Sequence, residues 1–309
     1  IAGTGLVIGV LNIQSIKPKL LELADQLHHD KYDLCCLTET WIKPSTPSRL
    51  LVLPGYQLHR VDRPDNSGYG GVALATRDGI SASPIKLPQG AAPGSKLETL
   101  WVLVRTGQRR QFVVCSAYRP PRHSVADLNA DFGDLETQYQ HVSMTYPGVK
   151  VFICGDLNAC LLKPDSSPAK CALLNFISDN ALANCLTSAT YFTGSSLDVF
   201  ITSCRSVVKT CITKVCHFSP HKFVRALVDL PRFKPPCTRV RTRCLRRVNI
   251  HLLHADLARA DWSAVFNAPA VSQKWDNFVA VFLPVMDAHA PVRTVRVRNP
   301  SAPQVSDAT

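Results

Sequence analysis

The sequence lacks any apolar run of the roughly 18 residues needed to span a bilayer, and it has no collagen-like or low-complexity tract. Its opening, IAGTGLVIGVLN, has neither a basic n-region nor a small-residue cleavage site, so no targeting segment is expected. Among the twelve cysteines there is no Cys-x-x-Cys pair and no cysteine–histidine set at zinc-finger spacing, which argues against a structural zinc site. Several cysteines sit inside apolar runs instead: Cys35 and Cys36 in DLCCLTE, Cys115 in FVVCSAY and Cys154 in VFICGD. They read as small core hydrophobes of a soluble protein in a reduced intracellular compartment.

Acidic residues are scarce, 23 against 35 Lys and Arg, for a net charge of +12. Residues 232–309 hold twelve Lys/Arg against five Asp/Glu, a net +7, leaving +5 for the first 231 residues. This segment contains RVRTRCLRR (239–247) and RTVRVR (293–298), and arginine at that density suits a polyanion such as nucleic acid. A solvated basic linker would look the same by composition. At 309 residues, 46% of them hydrophobic, the chain can bury a large core, and one big domain with an appendage fits the length. It begins with Ile and ends in SAPQVSDAT, which gives the expectation of a piece of a longer polyprotein.

Helical and extended patterns alternate along the first 231 residues. GLVIGVLN (5–12) reads as a strand, and Leu20, Leu23, Ala24 and Leu27 then mark one face of a helix over 17–29. Further strands are predicted at 33–39, 71–76, 99–105, 111–118, 149–154, 197–202 and 222–228, and helices at 124–145 and 169–182. The expected fold is a mixed α/β domain, with two packed sheets and outer helices rather than one doubly wound parallel sheet. A boundary is placed near Pro231, at the proline-rich PRFKPPC, with helices at 249–260 and 273–289 beyond it.

The polar residues at the strand ends form a pattern. Asn12 ends the first strand, Glu39 the second and Tyr118 a middle one; Asp156 and Asn158 follow another, Asp198 begins or interrupts the strand in SLDVF, and His221 precedes KFVRALV. Singly, each has an ordinary explanation as a cap, a turn residue or an amphipathic side chain. Their joint occurrence points to a shared cleft. On an extended chain, residues two apart project to one face, so Asp156 and Asn158 are expected to reach a single water or phosphate.

The pieces LNIQSIKPKL, DLCCLTETW, GYGGVALATR, CSAYRPP, FICGDLNA, SSLDVFIT and SPHKFV, in that order, resemble the endonuclease/exonuclease/phosphatase superfamily of deoxyribonuclease I and apurinic-site endonucleases. Within it they are similar to the endonuclease domain of non-LTR (LINE-type) retrotransposons. The resemblance covers nearly all of 5–230. KWDNFVAVFLPVMDAHAPVRTVRVR looks like the segment such polyproteins carry ahead of a reverse transcriptase.

The resemblance implies a four-layer sandwich of two mixed sheets flanked by helices over 1–231, with 232–309 as a basic, partly helical extension. It implies Mg²⁺-dependent nicking of double-stranded DNA to prime reverse transcription in the nucleus, with Mn²⁺ as a substitute cation and the element's RNA as a further partner. No membrane and no small-molecule cofactor are expected. Glu39 would ligate the metal, since Mg²⁺ prefers carboxylate oxygen, with Asn12 beside it in the metal shell or on a phosphate oxygen. Asp156 would orient or deprotonate the water, Asn158 hold the phosphate, and Tyr118 donate to it. His221 would bind or protonate the phosphate, held by Asp198; His217 is the rival histidine. Arg239, Arg241, Arg243, Arg246 and Arg247 would meet nucleic-acid phosphates. Loops 60–70 and 188–196 would set the cut site. Where the family usually reads Ser-Asp-His, this chain has Ser219-Pro220-His221, so a carboxylate expected near metal and water is absent. A catalytically degenerate nucleic-acid-binding fragment and a phosphatase or phosphodiesterase of the same superfamily are the alternatives.

Overall fold

The central strands form where they are buried on both faces. In a computed structural model that describes residues 5–64, 68–88, 93–106, 110–122, 124–162, 167–230 and 238–297, β1 (Leu6–Asn12) and β2 (Leu34–Thr38) are buried along their whole length. They are followed by β3 (Tyr56–Val61), β4 (Val72–Arg77), β5 (Ser81–Pro84), β6 (Glu98–Arg105), β7 (Gln111–Tyr118), β8 (Lys150–Asp156), β9 (Ala183–Asn184), β10 (Asp198–Thr202), β11 (Val208–Lys214) and β12 (Phe223–Val228). Helices α1 (Leu20–His29), α2 (Val125–Thr145) and α3 (Pro168–Asp179) lie between them in sequence.

Two six-stranded sheets result, ordered β11-β12-β1-β2-β4-β3 and β5-β6-β7-β8-β10-β9. The pleat sends alternate residues to opposite faces. Val10, Cys36 and Leu74 of the first sheet meet Val102, Val114, Phe152 and Phe200 of the second in a core between the sheets. Their neighbours Leu11, Cys35 and Leu37 turn outward, onto Leu23 and Leu27 of α1. On the far side, Val113, Ile153 and Ile201 pack against Leu128 and Leu135 of α2 and Leu173 and Phe176 of α3. The order is therefore helix, sheet, sheet, helix: the expected four-layer sandwich. Each such Leu or Phe contributes about 1.5–3 kcal/mol by its burial.

In the two six-stranded sheets, the strands that the sequence pattern leaves out, β3, β5, β9 and β11, are the four edges. Edges are solvated on one side, so they lack the apolar runs that mark the interior strands; β11 is mostly exposed or half-buried.

Each sheet contains one parallel pair, β1 with β2 and β7 with β8. Antiparallel β10 opens opposite the end of β8, with Asp198 paired to Asp156, and antiparallel β12 opens opposite the end of β1. The carboxyl ends of four strands and the amino ends of two others therefore share one end of the sandwich.

The chain divides into two compact units, 1–234 and 235–309. The stretch 231–237, on which the sequence-based boundary falls, lies outside the described residues. Besides helices α4 (Ile250–Arg259) and α6 (Val271–His289), the second unit holds a short α5 (Ser263–Asn267) and an antiparallel ribbon of β13 (Thr238–Thr242) with β14 (Arg293–Val297). The two arginine-rich tracts are thus partners, with Arg239 opposite Arg296 and Arg241 opposite Thr294. Trp262, just ahead of α5, links the helices: its ring stacks on Phe278 of α6 at 5.6 Å and its indole N–H donates to the Leu257 carbonyl of α4 at 2.8 Å. Arg241 and Arg246 are exposed. Arg243 is half-buried, and its guanidinium donates to Asp287 and to the carbonyl of Ala290 at 2.7 Å, joining the ribbon to the end of α6. The side chains of Arg239 and Arg247 lie outside the described residues, as does Arg298. Among the described residues no helix is long and apolar enough to cross a membrane.

Candidate active site

At the shared end of the two sheets a continuous set of polar contacts crosses from one sheet to the other. The amide nitrogen of Asn12, at the end of β1, donates to Glu39 Oε1 at 2.7 Å and to Asp156 Oδ2 at 2.8 Å. That same Oδ2 lies 3.8 Å from His221 Nε2, and the other ring nitrogen, Nδ1, lies 2.8 Å from Asp198 Oδ2. Asn12, Tyr118, Asp156, Asp198 and His221 are buried, and Glu39 and Asn158 half-buried. The exposed His217 has no place in this set.

Local backbone conformation aims these groups. Of the non-glycine residues with positive φ, Gln14, Ser15, Glu39, Trp41 and Asn158 lie within three positions of Asn12, Glu39 or Asp156. Left-handed conformations of such residues cost about 1–3 kcal/mol each and persist where surrounding contacts fix them. Here the backbone N–H groups of Thr40 and Trp41 donate to the carbonyls of Gly71 and Gly70. A Cβ at Gly71 would lie 2.5 Å from Thr40 Oγ1, and Glu98 accepts the Gly71 N–H. Gly155 has φ +145°, and a Cβ there would lie 1.9 Å from the Ala117 carbonyl oxygen, so GD rather than XD ends β8.

The expectation that Asp156 and Asn158 share one face of an extended chain is corrected. The strand stops at Asp156, and Asn158 has φ +48°. Asp156 Oδ1 accepts the Asn158 backbone N–H at 2.9 Å, an Asx-type turn, and the Asn158 side-chain amide donates to the Arg119 carbonyl at 2.8 Å. The two residues are joined by a turn, not by the period of a strand.

Burial, and then the nearby Asp198 carboxylate, push Asp156 up to about 7, with His221, the Asn12 amide and the Asn158 N–H acting in the opposite sense. Burial works against a charged His221. The hydrogen bond to Asp198 and the carboxylates of Asp198, Asp156 and Glu39 outweigh it and hold the imidazole above its ordinary pKa. Burial raises the Tyr118 phenol far above its usual range, with Glu39 and Asp156 adding to the shift, so Tyr118 keeps its proton. The site thus pairs a carboxylate poised near neutrality with two retained proton donors.

Three supporting residues escaped the sequence reading. The Ser219 hydroxyl donates to the Asn12 carbonyl at 2.6 Å and accepts the His221 N–H at 3.1 Å, tying one site residue to another. Thr190 Oγ1 accepts the N–H groups of Leu197 and Asp198. Arg119 is fully buried behind Asp156 and Asn158. Arg119 and Ser219 lie inside the motif stretches SAYRPP and SPH, but nothing in the sequence says what they bond.

The donors present fit a divalent cation. Asp156, Asp198 and His221 offer ligand atoms within 4.8 Å of one another, and Asn12 Oδ1 and Asp198 Oδ1 are buried oxygens with no hydrogen-bond partner. Hard oxygen donors and a surplus of carboxylate charge suit such an ion. Glu39 joins the group through Asn12, and its Oε2 accepts the Trp41 indole N–H at 3.2 Å.

The profile of the Endonuclease/Exonuclease/phosphatase family matches residues 9–213, which include Asn12, Glu39, Tyr118, Asp156, Asn158 and Asp198. No curated protein sequence matches the chain. Among solved structures, the AP endonuclease LMAP of Leishmania major is similar at TM-score 0.62 and 14% identity, over 73% of this chain and 88% of that one. The endonuclease domain of TRAS1, a telomere-specific non-LTR retrotransposon, is similar at TM-score 0.54 and 16% identity, over 74% and 99%. The catalytic domain of Xenopus laevis APE2 is similar at 0.53 and 18%, over 74% and 93%. At these identities the likeness is one of fold.

Proposed function

This chain belongs to the endonuclease/exonuclease/phosphatase family, and from that premise we propose that it is a phosphodiester hydrolase acting as a Mg²⁺-dependent DNA endonuclease. The observation that carries the reading is the position of Asp156. One of its oxygens faces both the Asn12–Glu39 pair and the His221–Asp198 pair, so metal ligands and proton donors converge on one carboxylate.

Bound Mg²⁺ would supply a Lewis acid at the scissile phosphoryl group, held by Glu39 with Asn12 or by the Asp156, Asp198 and His221 group. Asp156 takes the proton of the attacking water as its oxygen bonds to phosphorus. The bond from phosphorus to the 3′ oxygen breaks, and that oxygen takes a proton from solvent to leave as a 3′-hydroxyl. Tyr118 and protonated His221 donate to the phosphate oxygens as charge builds on them. Asp198 keeps the imidazole in place and favours its charged form. Asn158 shapes the turn beneath Asp156.

The sequence motifs, with the TRAS1 endonuclease domain among the proteins of like fold, favour target nicking for a non-LTR retrotransposon; in that reading the 3′-hydroxyl would prime reverse transcription in the nucleus and 232–309 would be a basic segment ahead of a polymerase. The loops proposed to set the cut site present Tyr69, 60% exposed and 5.1 Å from Trp41, and Phe192, 71% exposed and 4.6 Å from Tyr191. These two aromatics would meet duplex DNA on either side of the cut.

Pro220, standing where a carboxylate is expected, favours a second reading: a nucleic-acid-binding unit with little turnover. Nicking of supercoiled plasmid with and without Mg²⁺, by the parent and by Asp156→Ala, separates the two. Mg²⁺-dependent relaxation that Asp156→Ala lacks is the expected result; DNA binding without relaxation would favour the second reading.

A further inference from the structure

Arg119 follows the last residue of β7 and is fully buried, which is unusual for a charged side chain. Its Nε donates to the Leu157 carbonyl at 2.7 Å, Nη2 to the Asn158 carbonyl at 3.0 Å, and Nη1 to the Arg122 carbonyl at 3.0 Å. Its backbone N–H donates to the Asp156 carbonyl at 2.9 Å, and its own carbonyl accepts the Asn158 side-chain amide at 2.8 Å. One residue therefore bonds to all three members of the turn that carries Asp156.

The charge is matched from α2. Asp131, also fully buried, lies 3.8 Å from Arg119 Nη1, and its other oxygen accepts from Arg122 Nη2 at 2.6 Å and from the Lys96 N–H at 2.8 Å. The Phe132 ring lies 5.8 Å from the guanidinium carbon. Burying two ions costs desolvation; Asp131 Oδ2 faces the guanidinium without a hydrogen bond of its own, so the directed bonds of Arg119 go to the three carbonyls. What it fixes is a turn that leaves the sheet: the 157 and 158 carbonyls are beyond the β8 ladder, and Asn158 is left-handed. A planar fork with donors at fixed angles suits two successive carbonyls as a lysine ammonium does not.

We propose that Arg119, with Asp131 as its counter-ion, is the positioning residue of this site. It holds the 156–158 turn in the conformation that sets where the Asp156 carboxylate stands, without itself meeting substrate. The idea rests on the hydrolytic reading of the site, but its geometric part can be tested apart from activity.

The test uses the full chain and Arg119→Lys, which keeps the charge and removes the fork. Three quantities are measured: the single-turnover nicking rate at saturating DNA with Mg²⁺, the DNA Kd, and amide hydrogen exchange. The expected result is a rate about 10- to 100-fold lower, in line with the sensitivity of catalysis to small misplacements, with Kd within about twofold. Exchange at Asn158, whose N–H donates to Asp156 Oδ1, should speed up about tenfold or more while Phe152 in mid-β8 keeps its protection. Parent-like exchange at Asn158 overturns the proposal, and so does a loss of protection spread over all of β8, which would make Arg119 a residue of the fold alone. If Arg119→Lys does not fold, Asp131→Asn should give the same pattern at smaller size, and a parent-like result there overturns it equally. A parent that fails to nick sinks the endonuclease reading, and the exchange comparison then still decides the role of Arg119.

Discussion

The Nε2 of His221 stands 3.8 Å from Oδ2 of Asp156, close enough for each to alter the other's proton affinity and too far for a hydrogen bond. Asp198 holds the opposite ring nitrogen. In the proposed reaction the pair would act on one phosphate from two directions.

Asp156→Asn should lower the nicking rate by about 10²–10⁴-fold, the usual worth of a general base. Its effect on stability has the opposite sign. Asp156 titrates at about 7 in the folded protein, above its unfolded value of 3.8, so the folded state binds the extra proton and stability falls as pH rises through that interval. Replacing the carboxylate removes this loss. The metal-free variant should melt higher than the parent at pH 8 and no higher at pH 4; a lower melting point at both would show that the charge is compensated.

Activity should rise with pH as Asp156 loses its proton and fall again above the raised value of His221. Asp198 supplies the main interactions that raise that value, so Asp198→Asn should move the alkaline limb to lower pH, toward or below that of an ordinary histidine. Single-turnover rates from pH 5 to 10 read this directly, and an alkaline limb that stays put would assign it to another group.

Glu39→Ala should act through the metal. Nicking falls and is partly restored by high Mg²⁺ if Glu39 is a ligand. A loss that no Mg²⁺ concentration relieves would make Glu39 a structural residue, bonded as it is to Asn12 and Trp41.

Pro220→Asp tests the break in the family's pattern. The backbone around it is held on both sides, the Pro220 carbonyl accepting the Phe192 N–H at 3.2 Å and the Ser219 hydroxyl the His221 N–H. If the missing carboxylate limits the rate, Pro220→Asp should increase Mg²⁺-dependent nicking, and adding His221→Ala should abolish the gain. A fast parent with a neutral or harmful Asp would show that the carboxylate is not required.

In the second unit, Arg241 and Arg246 are exposed whereas Arg243 bonds to Asp287 and Ala290. Changing both Arg241 and Arg246 to Ala should flatten the salt dependence of DNA binding by about 0.9 in log–log slope for each DNA phosphate left without its arginine. Arg243→Ala should lower the stability of that unit instead. An unchanged slope in the double variant would remove the two arginines from the interface.

The sequence by itself determined the interior of the sandwich and its order of elements. Buried strands such as LVIGVLN and VFICGD are apolar along their length because both faces are covered, and α1 shows its apolar stripe for the same reason. It also fixed the residue types at the strand ends, Asn12, Glu39, Tyr118, Asp156 and Asp198. Only the tertiary structure decided what these residues do to one another. The contacts between Asn12 and Asp156 and between Asp198 and His221 span 144 and 23 residues of chain. Burial sets their proton affinities, and burial depends on the packing of both sheets. The four edge strands, the left-handed turn at Asn158 and the bonds made by Arg119 were likewise unreadable. An edge needs no apolar run, and a turn's conformation is fixed by partners that lie elsewhere in the chain.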